Sequence, residues 1–164
     1  ALVALDPKTG LIRALISSPS FNPNILNSIV DAEEVKKLFS DKESPLFNRA
    51  LSGQYPPAST LKPFVGLAAI ENQVITWDKK IEDNGKYYVE GDPRPYRGWK
   101  ENGHGLVDMR KAIAESSDVY FYNLAYDLTL SGMRPMLENF GFGKKTGLMN
   151  IESSGLLPLS LIHI

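Results

Sequence analysis

The chain opens on an apolar, strand-like segment, Ala1-Leu2-Val3-Ala4-Leu5. Asp6-Pro7-Lys8-Thr9-Gly10 follows as a turn and Leu11-Ile12-Arg13-Ala14-Leu15-Ile16 as the return strand, so the first element is predicted to be a β-hairpin. Ser18-Pro19-Ser20-Phe21-Asn22-Pro23-Asn24 reads as a loop, and residues 31–39 as a short charged surface helix. The apolar positions Leu61, Phe64, Val65, Leu67, Ala68, Ala69 and Ile70 have the length and spacing of a buried helix. Pro63 lacks an N–H and is tolerated only near a helix start, which places Ser59 at or beside the N-terminus. Residues 78–105, rich in Gly, Pro, charge and aromatics, read as a long excursion with short strands. Asp108 is placed to cap a helix over 109–115. A second helical run covers 119–128 and a third 132–140, with Gly141 as its stop.

Composition changes this picture little. The 164 residues are long enough for a domain with a real core, and 43% hydrophobic with 23% charged residues is ordinary for a globular protein. A net charge of −1 gives no reason to expect nucleic acid or an anionic membrane as partner. The absence of cysteine excludes disulfides and thiolate metal sites. No signal peptide is visible, nor an apolar run of roughly 18 residues.

The candidate chemistry lies in Ser59-Thr60-Leu61-Lys62, just after Tyr55-Pro56-Pro57. A serine hydroxyl is a poor nucleophile until a base takes its proton. A lysine three residues later on a helix lies on the same face, so its amine is expected within reach of the Ser59 hydroxyl. A serine at a helix start also meets free N–H groups and a dipole that favour developing negative charge. Alone, the tetrapeptide fits equally well a capping serine followed by a solvated lysine. Ser116-Ser117-Asp118, at the junction of two helical patterns, changes the balance. As an N-cap cluster it needs no further role. As a functional cluster, Ser116 relays a proton between Lys62 and Ser59, and Asp118 holds Lys62 and a substrate amide; the two readings are compatible. Ser-x-x-Lys and a Ser-x-Asn-like element belong to the motif set of penicillin-recognising enzymes.

The wider sequence resembles that class. Asn48-Arg49-Ala50 and the stretch from Tyr55 to Pro63 look like the active-serine region of class B penicillin-binding proteins. Tyr96-Arg97-Gly98-Trp99-Lys100, Gly103-His104-Gly105 and Glu115-Ser116-Ser117-Asp118-Val119-Tyr120-Phe121-Tyr122 resemble the elongation-type branch, penicillin-binding protein 2. Asp6-Pro7-Lys8-Thr9-Gly10, Phe140-Gly141-Phe142-Gly143 and Thr146-Gly147 also fit, so the resemblance spans nearly everything up to Pro158. It implies an α+β fold of the penicillin-binding, β-lactamase-like type: an antiparallel sheet with helices, and the active serine at a helix start beside it. It also implies a serine-type D-Ala-D-Ala transpeptidase. Ser59 attacks the stem peptide, releases D-Ala, and passes the acyl group to an amine of a neighbouring strand, whereas β-lactams leave a slowly hydrolysed ester. By this resemblance Ser59, Lys62, Ser116 and Asp118 are catalytic, and Ser117 and Tyr120 bind substrate. The implied partners are peptidoglycan stem peptides, β-lactam antibiotics, a membrane glycosyltransferase and the elongation machinery, with no cofactor and no nucleic acid. The implied location is the outer face of the bacterial inner membrane, through an anchor outside this chain.

Three departures qualify the resemblance. Asp118 stands where many relatives have Asn, as in part of the elongation-type branch. Lys145-Thr146-Gly147 spells the family's third motif but follows the turn at Phe140–Gly143, so it reads as a decoy for a motif on a later strand. Some relatives hold zinc here with two Asp, a His and a Cys. Asp83 and His104 match that pattern, but Gly98 and Ser117 do not, and His104 reads as a structural residue beside Trp99. Tyr120, Phe121, Tyr122 and Tyr126 read as core and cleft wall, and Arg94, Arg97 and Lys100 as a solvated rim.

The hairpin reads as cut close to its beginning. Leu159-Ser160-Leu161-Ile162-His163-Ile164 resembles a translated adapter more than protein, the alternative being a genuine short strand. The expected organisation is therefore 1–158 as the N-terminal part of a C-terminally truncated transpeptidase domain, and 159–164 as a scar. Such a piece is expected to be inactive and poorly folded alone, with exposed apolar surface and open sheet edges. The competing functions are a β-lactamase or β-lactam sensor, and a non-catalytic scaffold.

Overall fold

The hairpin forms where the apolar segments and their turn predict it. The computed structural model describes residues 1–27 and 32–157, which divide into two compact units. In the first, Ala1–Tyr55 with Lys145–Ser154, strands β1 (Leu2–Leu5) and β2 (Ile12–Ile16) pair antiparallel, Leu2 opposite Ile16. Asp6 makes the turn: its carboxylate accepts from the N–H groups of Lys8 (3.0 Å) and Thr9 (3.3 Å) and from Arg13 (2.8 Å). Leu2, Val3, Leu5, Ile12 and Ile16 remain exposed on this ribbon. Helix α1 (Asn24–Asn27) and helix α2 (Ala32–Ser40) follow. Asp31, where the surface helix was expected to begin, lies outside the described residues, as does 159–164. Glu33 and Glu34 in the first turn of α2 and Lys37 near its end match the helix dipole.

The second unit, Pro56–Lys144 with the residues from Gly155, holds the core. A 3₁₀ turn, Ala58–Leu61, runs into helix α3 (Lys62–Glu71), with Pro63 in its first turn as expected. The excursion carries β3 (Ile81–Asp83), β4 (Lys86–Tyr87) and β5 (Tyr96–Arg97), followed by β6 (Gly105–Val107). β3 pairs with β6 and β4 with β5, both antiparallel. Asp108 caps α4 (Met109–Ala114) by accepting from the Lys111 N–H at 2.9 Å.

Helix α5 (Asp118–Asn139) joins the two helical runs that the sequence separates; the join is broken at Thr129, whose φ of 60° and ψ of 174° are not helical. Gly141, in the left-handed region at φ 86°, ends it. Packing of α3 on α5 buries Val65, Ala68, Ala69, Phe121, Leu124, Leu128, Met133 and Leu137. Gly66 allows α4 to approach, since a Cβ there would lie 2.7 Å from Met109 Sδ.

Candidate active site

Pro57 and the 3₁₀ turn present Ser59 on the last turn before α3. Neither that turn nor α3 has a side-chain N-cap, so the capping role that Ser59 might have filled is not used. Lys62, the first residue of α3, is turned inward, its side chain only 12% exposed, not solvated. Its Nζ donates to Ser116 O (2.8 Å), Ser116 Oγ (3.0 Å) and Asp118 Oδ1 (2.6 Å), which occupies all three protons of an ammonium. Ser116 Oγ in turn donates to Ser59 Oγ at 2.9 Å. The direct Ser59–Lys62 contact expected from the i,i+3 spacing is therefore replaced by a relay. The amine stands behind Ser116 because Asp118 draws it there, and the Ser116 hydroxyl fills the gap.

Asp118 holds two donors at once. Oδ1 takes Lys62, and Oδ2 accepts from the Trp99 N–H at 3.0 Å. The indole Nε1 of Trp99 donates to the carbonyls of Glu115 and Ser116, both at 3.2 Å. Trp99 was legible only as part of a resembling motif; its contact with the second cluster depends on the fold of the 96–99 segment.

Ser59, Lys62 and Asp118 line a cavity of about 680 Å³ whose walls are largely apolar: Leu61, Val65, Phe121, Tyr122, Met133 and Leu137 among others. Phe121 also sits 5.7 Å from Lys62 Nζ, over its ring face. Burial, and then the Asp118 charge, push the Tyr122 phenol above its ordinary pKa, so it stays a neutral donor at the wall.

Ser117 and Tyr120, expected to touch substrate, face the core instead of the cavity. Both are fully buried and neither lines the cavity. On a helix start, alternate residues face different sides, so Ser116 and Asp118 turn toward Lys62 and Ser59, and Ser117 turns inward. Its Oγ caps α5 by accepting from the Tyr120 N–H (3.2 Å) and donates to Asp83 Oδ2 at 2.6 Å. Tyr120 is a core residue whose hydroxyl has no partner among the described residues; burial, and then the Asp108 charge, push its pKa up to about 12.

His104 lies beside Trp99, ring centroids 5.4 Å apart, as the sequence reading has it. Its Nδ1 is 2.7 Å from Asp83 Oδ2. Burial raises the Asp83 pKa, but bonds from Ser117, His104 and the Gly85 N–H outweigh it and hold the carboxyl below its ordinary value. These residues do not fit a zinc site. Gly98 has no donor, and the Ser117 hydroxyl spends its proton on Asp83. A closed zinc site needs four ligands.

Lys145-Thr146-Gly147 is not on a strand. Thr146 and Gly147 fold onto Glu152, whose carboxylate accepts from the N–H groups of Thr146 (2.9 Å), Gly147 (3.0 Å) and Leu148 (2.9 Å). Thr146 Oγ1 also donates to it.

The model of the penicillin binding protein transpeptidase domain matches residues 1–160. Peptidoglycan D,D-transpeptidase MrdA of Acinetobacter baumannii is 43% identical over 159 residues, covering 96% of this chain and 24% of the relative. The crystal structure of Pseudomonas aeruginosa PBP2 superposes with a TM-score of 0.88 at 38% identity, over 95% of this chain and 36% of that one. Helicobacter pylori PBP2, in a complex with MreC, gives a TM-score of 0.88 at 34% identity, over 95% of this chain and 29% of that one. The chain thus spans about a quarter of the length of the curated relative.

Proposed function

Because the chain belongs to the penicillin-binding protein transpeptidase domain family, we propose that it is the active-serine portion of an elongation-type peptidoglycan D,D-transpeptidase. The observation that carries this reading is the hydrogen-bonded series Lys62–Ser116–Ser59, whose Ser59 and Lys62 line an apolar cavity. Ser59 Oγ attacks the carbonyl of the penultimate D-Ala. Its proton passes to Ser116, and the Ser116 proton passes to Lys62 in the neutral form. The arrangement with Lys62 as full donor is the reverse setting of the same relay, in which Ser116 returns a proton to the departing amine. Asp118 fixes the relay by holding Lys62 from one side and Trp99 from the other.

The apolar walls suit a β-lactam ring system or the aliphatic part of a stem peptide, and neither requires a cofactor. The third motif would come from sequence outside this chain. In line with the MreC complex of the Helicobacter pylori relative, the whole protein would work with elongation scaffold proteins and a glycosyltransferase. Its place would be the outer face of the inner membrane, through an anchor outside this chain. No helix among the described residues is long and apolar enough to cross a membrane.

The test is release of D-Ala from a D-Ala-D-Ala pentapeptide by the full-length protein. Release that disappears in Ser59→Ala supports the reading. Release unaffected by that substitution, or none from a protein that folds and carries all three motifs, overturns it.

A further inference from the structure

A relay through Ser116 works only if the turn that carries Ser116 is held still. That turn is strained: Ser116 has a φ of +54°, in the left-handed region that side chains disfavour. The cleft residues do not hold it alone. Immediately behind it, Ser117 is fully buried and joined to Asp83 at 2.6 Å, which makes Ser117 the link between the α5 start and strand β3. Asp83 is itself immobilised. It is buried, ends β3 opposite Gly105, accepts from the Gly85 N–H at 2.8 Å and sits 2.7 Å from His104 Nδ1. Among the described residues no hydrogen bond joins Asp83 to Ser59 or Lys62, and Asp83 is not among the residues that line the cavity.

We propose that Asp83 is a positioning residue for the acyl-transfer site, acting through the Ser117 hydroxyl to hold Ser116 and Asp118 in register with Ser59 and Lys62. This rests on the transpeptidase reading. A buried carboxylate is a strong acceptor, and it bonds the residue between two cleft residues. A shift of Ser117 therefore moves both neighbours, and a misplacement of about 1 Å at a catalytic group can cost roughly a hundredfold in rate.

The experiment follows the rate of Ser59 acylation by a penicillin in the full-length protein, read by intact mass as a rate constant per labelled molecule, so that a reduced folded fraction does not mimic a slower reaction. Wild type is compared with Ser117→Ala, Asp83→Asn, Asp83→Ala and Ser117→Ala combined with Asp83→Ala. The expected result is at least a tenfold loss for Ser117→Ala and Asp83→Ala. Asp83→Asn, whose amide oxygen still accepts from Ser117, should lose less. The double variant should be no slower than the worse single one, because both remove the same link. Should Asp83→Ala fail to fold, Ser117→Ala, which removes one oxygen, decides by the same threshold. Rates within twofold of wild type, or losses that multiply in the double variant, overturn the positioning role even if melting temperatures fall. A wild-type protein without a Ser59-dependent adduct overturns the transpeptidase reading itself.

Discussion

Replacing Asp118 by Asn tests how the site is wired, because the two residues are nearly the same shape. Asp118 faces two donors, Lys62 Nζ at 2.6 Å and the Trp99 N–H at 3.0 Å, and uses one oxygen for each. An Asn has one oxygen, so its NH₂ must point at one of the two donors. The substitution removes one charge-assisted bond, worth about 1.5–3 kcal/mol. It also removes the acidic group in the first turn of α5, worth about 0.3–1 kcal/mol. The sum is about 2–4 kcal/mol. Lys62 and Asp118 are 12% and 22% exposed, so solvent screens this little; the pair is broken, not replaced by apolar groups, which is the costly case. The assay is urea unfolding of the complete transpeptidase domain, read as a shifted midpoint at constant slope. With Lys62→Met as background, the cost of Asp118→Asn should shrink, since the ammonium it served is gone. An unchanged midpoint, or the same cost in both backgrounds, would refute the wiring.

Tyr120→Phe removes a buried hydroxyl that has no partner among the described residues. It should be neutral or stabilising by up to about 1 kcal/mol, with acylation unchanged, in urea unfolding and penicillin labelling. A loss of labelling would contradict this and favour Tyr120 as a substrate contact. Gly103→Ala should destabilise by about 2–4 kcal/mol by the same unfolding assay. Its φ of +69° is strained for a side chain, and a Cβ there would collide with the Asp83 carbonyl oxygen and the Gly85 nitrogen. Glu152 tests the loop at 145–154. The Thr146 hydroxyl bond, opposed by burial and aided by backbone N–H groups, holds its pKa below the ordinary value. A lowered folded-state pKa means that its contribution is present above the unfolded value and lost as pH falls through the folded one. Amide exchange at Gly147 and Leu148 should therefore lose protection in acid, and Glu152→Gln should remove that dependence. Equal pH profiles in both proteins would contradict it.

Much of the fold was legible where the signal is local. The hairpin turn at Asp6, the Asp108 cap, Pro63 at the start of α3 and the Gly141 stop each follow from one or two residues whose backbone needs are known. The break in α5 was legible as well: the two helical runs read from the sequence end at 128 and resume at 132, and Thr129, the non-helical residue, falls between them.

The site divides in the same way. Motif spacing identified Ser59, Lys62, Ser116 and Asp118, which the structure brings together. Which of three consecutive polar residues face the cleft depends on the phase of α5 against β3, a long-range property. The motif therefore does not tell that Ser117 faces Asp83. The same holds for Tyr120, one turn on, which is buried in the core. Trp99 and Asp83 reach the second cluster through the fold of the long excursion; their sequence signals are the resembling motif that holds Trp99 and the relatives' pattern that groups Asp83 with His104 and Ser117, and neither specifies the hydrogen bonds.

The central claim is that Ser59 is the nucleophile. The most direct measurement is the intact mass of the full-length protein after incubation with a penicillin, beside Ser59→Ala. The account predicts a stable adduct of one antibiotic per protein that is absent in the variant. An adduct that persists in Ser59→Ala, or antibiotic left intact with no adduct on a folded protein, would contradict it; rapid hydrolysis without an adduct would instead mark a β-lactamase.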